Sequence, residues 1–249
     1  MKVLGIDIGG TGIKGAVVDT KKGELITERH RIPTPQPATP RAVIETVEQL
    51  VREFDWHGPV GCGFPAAIKH EIVKTASNID ASWIGLNAAA QIEKDTGCPT
   101  HLVNDVDAAG FAEMKFGAGR QENGTVIVVA LGTGIGTAIF TNGVLLPNTE
   151  LGQIKMNGLI AEHYAANSVR ESEGLSWEVW GKRLNEYLNM VTDLFWPDLI
   201  ILGGGVSKKF DHYREYIDVD TNIVPAQNRN NAGIIGAAIA AKKEGLRTV

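Results

Sequence analysis

The sequence lacks several features that would point to a particular class of protein. Hydrophobic residues make up 43% of the 249 residues, yet no apolar run reaches the ~20 residues that a membrane-spanning helix requires. The formal net charge of −5 argues against a general nucleic-acid-binding protein, because such proteins need a basic surface. Asp7 interrupts the apolar N-terminal stretch, so we expect no signal peptide.

Cysteine is also scarce. Cys62 and Cys98 are the two cysteines of the sequence, and neither belongs to a CxxC pair. A disulfide framework and a structural zinc site are therefore not expected, and the six histidines show no ligand spacing either. We expect two reduced, buried thiols and a cytoplasmic protein.

Short apolar runs alternate with amphipathic segments, which predicts an α/β protein. Thr39 followed by Pro40 predicts the start of a helix, since Thr caps helices and Pro is favoured at the first position. The predicted strands are Val3–Ile8, Ile13–Val18, Leu25–Ile32, Val60–Phe64, His101–Val103, Thr125–Leu131, Ile135–Phe140 and Leu199–Leu202. The predicted later helices are Leu86–Thr96, Val106–Phe116, Ala161–Glu171, Trp177–Phe195 and Ala232–Lys243.

Two glycine-rich segments resemble each other. Residues 10–18 read GTGIKGAVV and residues 132–140 read GTGIGTAIF, and each follows one apolar strand and enters another. This similarity predicts two related lobes, each containing the same strand–turn–strand hairpin. A chance likeness of two glycine-rich turns is the alternative.

The first of these turns has the composition of a phosphate-binding loop. Its glycines let backbone N–H groups approach phosphate oxygens, Thr11 adds a hydroxyl and Lys14 a positive charge. Asp7 at the strand end suits a hydrated Mg²⁺. A strand follows the glycines, so the motif is not a dinucleotide-binding fingerprint, and the GK[ST] ending of a Walker A loop is missing. A tight hairpin with a solvated Asp7 is the structural alternative.

The order of the motifs resembles the fold shared by actin, Hsp70 and the sugar kinases. Asp7-Ile8-Gly9-Gly10-Thr11 is similar to its first phosphate motif, residues 131–136 to its second, and residues 203–207 to the glycine motif on the nucleotide side. Residues 105–110 and 233–238 resemble its two connecting helices. The resemblance implies a two-lobed actin/hexokinase-like ATPase (ribonuclease H-like) fold with an interlobe cleft. The small lobe would comprise 1–108 and 233–249, and the large lobe 109–232.

Within that fold the sequence is similar to the ROK family of sugar kinases and repressors, and in particular to its polyphosphate glucokinases. The segments that carry this likeness are 34–40 (TPQPATP), 82–85 (SWIG), 196–199 (WPDL) and 224–227 (VPAQ). The Cys-rich zinc motif of the family is missing, and because the first phosphate motif starts at residue 7 we expect no DNA-binding module like that of the family's repressors. The resemblance implies a Mg²⁺-dependent kinase that transfers a phosphoryl group from polyphosphate or ATP to the 6-hydroxyl of glucose, and a homodimer.

The same resemblance implies which residues bind the phosphoryl donor. The phosphate-binding residues would be Asp7, Gly9, Gly10, Thr11, Lys14, Gly132, Thr133 and Gly134, with Gly203, Gly204 and Gly205 on the nucleotide side. Asp7 would hold Mg²⁺ through water. Lys208, Lys209 and Arg214 follow the glycine motif and form either a solvated surface or a flank for an anionic chain.

Asp105 is implied to be the catalytic base, which accepts the proton of the attacking sugar hydroxyl. Asn104 would orient the sugar through both its donor and its acceptor. The alternative is that Asp105 only caps the following helix. The other implied sugar-binding residues are Asn78, Glu150, Gln153 and Glu162.

Three residues near the implied sugar site depart from the family pattern. Gln153 stands where the family has His, Lys155 where near relatives have Glu, and Ala66 where the family has Gly after Pro. Lys155 could pair with Glu150 or Glu162, or recruit an anionic substrate. These departures motivate an alternative function, a non-catalytic sugar or phosphate sensor of the same fold.

The late helix offers an apolar face made by Leu184, Leu188, Val191 and Phe195. We expect this face to form a dimer interface or, alternatively, to belong to the core of the chain.

Overall fold

A computed structural model describes residues 1–77 and 79–245 of the chain. Its strands are β1 (Lys2–Ile8), β2 (Ile13–Asp19), β3 (Glu24–Leu25), β4 (His30–Ile32), β5 (Val60–Phe64), β6 (Ile68–Lys69), β7 (Ile72–Val73), β8 (Thr100–Asn104), β9 (Thr125–Leu131), β10 (Ile135–Thr141), β11 (Val144–Leu146), β12 (Lys155–Met156), β13 (Leu159–Ile160), β14 (Leu199–Gly203) and β15 (Asn222–Pro225). Its α-helices are α1 (Pro40–Glu53), α2 (Ala88–Thr96), α3 (Asp105–Phe116), α4 (Glu162–Ala165), α5 (Asn167–Ser172), α6 (Trp177–Phe195) and α7 (Ala232–Gly245). Turns of 3₁₀ helix lie at Ala81–Trp83, Leu151–Gln153, Gly205–His212, Arg214–Tyr216 and Arg229–Asn231.

The chain forms two compact units. The first comprises Met1–Lys115 and Asn231–Val249, and the second comprises Phe116–Asn230. The lobe limits implied by the family resemblance stay a prediction. Among the described residues, no helix is long and apolar enough to cross a membrane.

The first unit is built on a mixed sheet of strand order β3-β2-β1-β5-β8, with β4 paired to β2. The β1–β2 hairpin is antiparallel, whereas β1, β5 and β8 run parallel to one another. Helix α1 begins as expected, with the Thr39 hydroxyl accepting from Ala42 N and Pro40 at the first helical position. Its apolar stripe, which includes Val47 and Leu50, is fully buried.

The second unit repeats this arrangement. Its sheet has the order β11-β10-β9-β14-β15, in which β9 and β10 form an antiparallel hairpin and β9, β14 and β15 run parallel. Each unit therefore starts with a glycine-turn hairpin and extends its sheet by two parallel strands from the first strand of that hairpin. The internal repeat predicted from residues 10–18 and 132–140 is confirmed at the level of topology.

Helix α7 packs against its own unit at backbone distance. A Cβ placed on Gly236 would lie 1.5 Å from the carbonyl oxygen of Ala108 in α3, so only glycine permits this approach. At the start of the helix, a Cβ on Gly233 would lie 2.9 Å from Cγ of Asp7. The close packing of α7 therefore brings the beginning of the helix next to the carboxylate at the end of β1.

Two predicted elements are interrupted. The predicted strand Leu25–Ile32 is divided into β3 and β4, because the Thr27 hydroxyl takes the N–H of Val17 in place of a ladder carbonyl. The predicted helix Ala161–Glu171 is broken at Ala166, which has an extended backbone (φ −64°, ψ 155°). There the indole N–H of Trp180 donates to the carbonyls of Ala165 and Ala166.

Helix α6 has the predicted limits, and of the two interpretations of its apolar face, dimer interface or core, the structure supports the core. Leu184, Leu188 and Val191 are each 0% exposed and lie in the core of the second unit. The apolar face of α6 is thus buried within its own unit. The exposed apolar residues at this end of the helix are Leu194 and Trp196.

Candidate functional site

The predicted phosphate loop of the first unit is the four-residue turn between β1 and β2. Ile8 pairs with Ile13, and the N–H of Gly9 donates to the carbonyl of Gly12 at 3.2 Å, which closes the turn. Gly10 and Thr11 are exposed at its tip. The loop is therefore accessible to a ligand.

Asp7 and Lys14 face each other across this hairpin. They are paired in the β1–β2 register, and Lys14 Nζ lies 3.1 Å from Asp7 Oδ2. The lysine expected to contact a phosphate thus forms an ion pair with the carboxylate expected to hold Mg²⁺. One carboxylate with a neighbouring cation fits a Mg²⁺ ion that is carried by phosphate oxygens and keeps its waters, rather than an all-protein metal cage.

Asp105 lies at the C-terminal edge of the parallel strands, as does Asp7. In the sheet Asp7 is level with Gly63, and Phe64 is level with Asn104. A Cβ on Gly63 would lie 3.6 Å from Cα of Asp105, so the small residue in β5 leaves room for the start of α3. The sheet therefore presents both carboxylates at one edge of the first unit.

Asn104, and not Asp105, is the residue that caps α3. Asn104 Oδ1 accepts from Val106 N at 2.8 Å and from Asp107 N at 3.0 Å, while Nδ2 donates to the carbonyl of Ala66 at 3.2 Å. Both lone pairs of the amide oxygen are thus used by the helix. The prediction that Asn104 orients a sugar through an acceptor as well as a donor is corrected: its second amide hydrogen is the group left for a sugar.

Asp105 is the first residue of α3 and is partly buried. Its Oδ1 accepts from the N–H of Val106 at 2.9 Å. The positive end of the helix favours an ionised carboxylate, which is the form that can accept a proton. The capping alternative therefore falls to Asn104, and Asp105 keeps a geometry suited to a base.

The second unit places its predicted donor-binding residues on adjacent strands. Gly132–Gly134 form the turn between β9 and β10, closed by a 3.0 Å bond from Gly132 N to the carbonyl of Gly134. Gly203 ends β14 level with Ala130 of β9, and Gly204 follows with φ of 79°. The two glycine motifs therefore meet at one edge of this sheet.

Gln153 and Glu162 form a direct contact. Gln153 Nε2 donates to Glu162 Oε1 at 2.7 Å, and the other oxygen, Oε2, accepts from Ile135 N at 3.3 Å. A Cβ on Gly134 would lie 2.3 Å from Glu162 Oε2, so the carboxylate rests against the glycine turn. The second unit thus joins two predicted sugar-binding residues to the predicted phosphate hairpin.

Glu150 belongs to the same group of residues. Its side chain is exposed overall, but desolvation of the carboxyl raises its pKa, and the negative charge of Glu162 raises it further. Two carboxylates that disfavour each other's charge would be relieved by a ligand that donates hydrogen bonds to both. A sugar carries such donors in its hydroxyl groups.

Glu150, Gln153 and Glu162 form the candidate sugar clamp, and Lys155 does not pair with its carboxylates. It is exposed in β12, and it forms no ion pair with any of the described residues. The pairing of Lys155 with Glu150 or Glu162, one of two expectations from the sequence, is therefore not seen. The basic side chain nearest to Glu162 Oε1 among the described pairs is the imidazole of His163, with Nε2 at 4.0 Å.

Asn78 lies outside the described residues. Three residues without a predicted role donate hydrogen bonds to backbone carbonyls of the glycine turns. Thr34 donates to Gly9, Arg31 to Thr11, and Ser168 to Thr133. The Pro-rich segment was visible as a motif and includes Thr34. For Ser168 the sequence offers no signal.

Comparison with known proteins bears on this geometry. Residues 3–162 match the model of the ROK family. The chain is 45% identical over 238 residues to the polyphosphate glucokinase of Mycobacterium tuberculosis, which covers 95% of the chain and 90% of the relative. It is 28% identical to the glucokinase of Streptomyces coelicolor, over 96% of the chain and 97% of the relative.

Solved structures match over nearly the whole chain. The inorganic polyphosphate/ATP-glucomannokinase from Arthrobacter sp. strain KM superposes with a TM-score of 0.94 at 47% identity, covering 98% of this chain and 99% of that one. A ROK glucokinase from Streptomyces griseus, in complex with glucose and AMPPNP, gives a TM-score of 0.83 at 24% identity, covering 98% and 100%. At that identity the second match speaks for the fold alone.

Proposed function

The chain belongs to the ROK family, and on that premise we propose that it is a glucokinase that transfers a phosphoryl group from polyphosphate or ATP to the 6-hydroxyl of glucose. Its fold is the predicted α/β actin/hexokinase-like fold. The observation that carries the proposal is the 45% identity to a polyphosphate glucokinase over 95% of the chain, together with intact glycine turns and clamp carboxylates.

Asp105 acts as the base. Its carboxylate accepts the proton of the 6-hydroxyl while the hydroxyl oxygen attacks the terminal phosphorus of the donor. The bond from that phosphorus to the donor's bridging oxygen breaks, and the donor leaves as ADP or as a polyphosphate shortened by one unit. The N–H of Val106 donates to the carboxylate and holds it in place at the start of α3.

Glu150, Gln153 and Glu162 bind the sugar. The carboxylates accept hydrogen bonds from sugar hydroxyls, and Gln153 keeps Glu162 in position through their 2.7 Å bond. Gln153 cannot become charged, unlike the His that the family has at this position. It can still accept through its carbonyl oxygen, so the substitution alters the clamp without removing it.

The glycine turns bind the donor. In each unit the backbone N–H groups of the turn, joined in the first unit by the Lys14 ammonium, are suited to the charge of a phosphate, and such electrostatic stabilisation supplies most of the catalysis in phosphoryl transfer. Bound Mg²⁺, which Asp7 would hold through water, supplies further neutralisation of the phosphates. The Lys14 ammonium can turn from Asp7 to the donor, because their ion pair is partly exposed to solvent.

Both donors are part of the proposal because the relatives include a polyphosphate glucokinase and a polyphosphate/ATP-glucomannokinase. The non-catalytic sensor suggested by Gln153 and Lys155 finds no support among these relatives. Formation of glucose 6-phosphate, measured with Mg²⁺ and each donor in turn, tests the proposal. Glucose at about a hundred times Kd should also stabilise the protein by roughly 2.7 kcal/mol. Such stabilisation without turnover on either donor would favour the sensor.

We propose further that the enzyme works as a homodimer in the cytoplasm. The dimer is implied by the family resemblance, and Leu194 and Trp196 offer exposed apolar surface, at 61% and 72% exposure. The cytoplasm suits two free, buried thiols. A monomeric mass in light scattering at working concentration would exclude the dimer.

A further inference from the structure

Three side chains from one short segment, residues 31–36, donate hydrogen bonds to the carbonyls of the first glycine turn. Arg31 Nη2 donates to the carbonyl of Thr11 at 2.8 Å, and the Thr34 hydroxyl donates to the carbonyl of Gly9 at 2.5 Å. Gln36 Nε2 donates to the carbonyl of Gly10 at 3.4 Å, a longer and weaker bond. Three consecutive carbonyls of the turn are therefore drawn toward residues 31–36.

The direction of these carbonyls fixes the direction of the amides. In a planar trans peptide the C=O of one residue and the N–H of the next point to opposite sides. Holding the carbonyls of Gly9, Gly10 and Thr11 on one side thus turns the N–H groups of Gly10, Thr11 and Gly12 to the other. None of these three N–H groups has an acceptor among the described residues. Successive N–H groups of this kind form an anion-binding concavity.

The bracing segment is itself anchored. Strand β4 pairs with β2, which places Arg31 opposite Lys14. Further along, the buried indole of Trp83 donates to the carbonyl of Ala38 at 2.9 Å. Thr34 is only 8% exposed. The donors that hold the turn therefore come from a support that is fixed at both ends.

The second unit brackets its glycine turn in a related way with an unrelated residue. Ser168 at the start of α5 donates from its N–H to the carbonyl of Gly132 at 3.0 Å and from its hydroxyl to the carbonyl of Thr133 at 2.5 Å. The N–H groups of Thr133 and Gly134 are thereby turned away from Ser168. They too have no acceptor among the described residues, while Glu162 takes the next N–H along.

We propose that Thr34, assisted by Arg31, and Ser168 are positioning residues, each of which aims the amides of the glycine turn in its own unit at phosphate groups. Neither hydroxyl contacts the donor; each acts through the carbonyl that it holds. The inference rests on the proposed function only in taking the ligand of the turns to be a phosphate chain. The arrangement occurs once in each unit, so each hydroxyl can be tested separately.

The test uses the full-length protein and inorganic tripolyphosphate without glucose, so that binding is measured by calorimetry in the absence of turnover. Thr34→Val and Ser168→Ala remove the two hydroxyls, and Thr34→Ser and Ser168→Thr restore them. Thr46→Val is the matched control for Thr34, since Thr46 is 9% exposed and its hydroxyl donates to a helix carbonyl. Ser172→Ala is the control for Ser168, on the same helix.

Each removal should weaken tripolyphosphate binding about three- to tenfold, the range of a single net hydrogen bond. Glucose affinity, followed by tryptophan fluorescence, and the thermal midpoint of the controls should stay at wild-type values. In the kinase assay the loss should appear in KM for the donor and not in KM for glucose. The restoring variants should bind tripolyphosphate within about twofold of wild type.

Three results would overturn the inference: wild-type affinity in both removal variants, an equal loss of glucose and tripolyphosphate affinity, or a wild type that does not bind tripolyphosphate. A wild type that binds tripolyphosphate with the expected variant pattern, but phosphorylates no sugar, would contradict the proposed function and leave the positioning role supported.

Discussion

The contact between Gln153 and Glu162 leads to a prediction with a definite sign. In Gln153→Glu, an oxygen replaces the N–H donor that lies 2.7 Å from Glu162 Oε1. Two carboxylates would then face each other beside Glu150. Burial and the charge of Glu162 already raise the pKa of Glu150. When both are ionised, Glu162 must move away from the position that we assign to sugar binding.

The size of the effect follows from Coulomb's law. Two unit charges about 4 Å apart repel by roughly 1 kcal/mol in water and about 4 kcal/mol at the effective dielectric constant near a protein surface. Gln153 is exposed, so the lower part of this range applies. We expect a cost of about 1–2 kcal/mol, which is a roughly five- to thirtyfold fall in kcat/KM for glucose at neutral pH and above.

The assay is glucose 6-phosphate formation at fixed saturating donor between pH 5.5 and 8.5, expressed as the ratio of mutant to wild type. Mutual repulsion raises the pKa of the paired carboxyls, so one of them takes up a proton as the pH falls. A shared proton restores a donor between the two oxygens. The activity ratio should therefore rise toward one at the acid end of the range.

Gln153→Leu provides the matched control, because it removes the donor without adding a charge. Its activity ratio should be reduced and independent of pH. If Gln153→Glu shows the same pH-independent ratio as Gln153→Leu, charge repulsion at Glu162 is not the cause. If both variants match wild type at every pH, Gln153 lies outside the sugar site and the assignment of the clamp is wrong.

Three further predictions concern the same unit. Desolvation and a neighbouring carboxylate raise the pKa of Glu150, so the folded state loses stability as the pH rises above the ordinary pKa of a glutamate. Glu150→Gln should therefore have a higher Tm than wild type at pH 7 and an equal Tm near pH 3. Scanning calorimetry measures both, and should also show that the variant is no longer stabilised by glucose. Gly204→Ala combines a φ of 79° with a Cβ only 2.2 Å from a carbonyl oxygen of β9, so unfolding should become easier by at least about 2 kcal/mol, whereas Gly205→Ala, with open space around it, should unfold like wild type. Gln153→His, compared with wild type over several hexoses, should change sugar preference without changing donor KM, whereas Lys155→Glu should match wild type and the double variant should match Gln153→His. Non-additive effects of the two substitutions would show that Lys155 shares the pocket after all.

The periodic elements could be predicted from the sequence because local signals and burial agree there. Helix α6 and strands β5 and β9 have the predicted limits, and Thr39 with Pro40 starts α1 as expected. The strongest signal was the repeated glycine turn, which correctly predicted two related units that each contain the same strand–turn–strand hairpin. These features depend on short-range chemistry that a sequence displays directly.

The elements that could not be predicted are decided by side chains distant in sequence. The helix expected through Ala166 breaks because Trp180, fourteen residues later, takes its carbonyl. The apolar face of α6, for which the sequence left both a dimer interface and the core open, belongs to the core, and the strands and helices that cover Leu184 are separate in sequence. Local periodicity cannot distinguish a helix face buried by its own chain from one buried by a partner.

In the candidate site, too, residues with a local sequence signal could be predicted, and residues placed by distant contacts could not. Residue types at strand ends predicted the glycine turns and Asp105, the family resemblance predicted the clamp carboxylates, and the roles of all these residues stay predictions. The sequence could not assign the capping role, which belongs to Asn104 and uses both lone pairs of its amide oxygen. Nor could it identify Ser168, whose hydroxyl reaches Thr133 across 35 residues of sequence.

We propose Asp105 as the base for phosphoryl transfer to glucose, and Asp105→Asn tests this role when its kcat and its Kd for glucose are both measured. The asparagine keeps the size of the side chain and an acceptor for the N–H of Val106. We expect kcat to fall about 10²–10⁴-fold, the usual contribution of a general base, while the Kd for glucose, measured by tryptophan fluorescence, changes little. A variant that forms glucose 6-phosphate at the wild-type rate would contradict it.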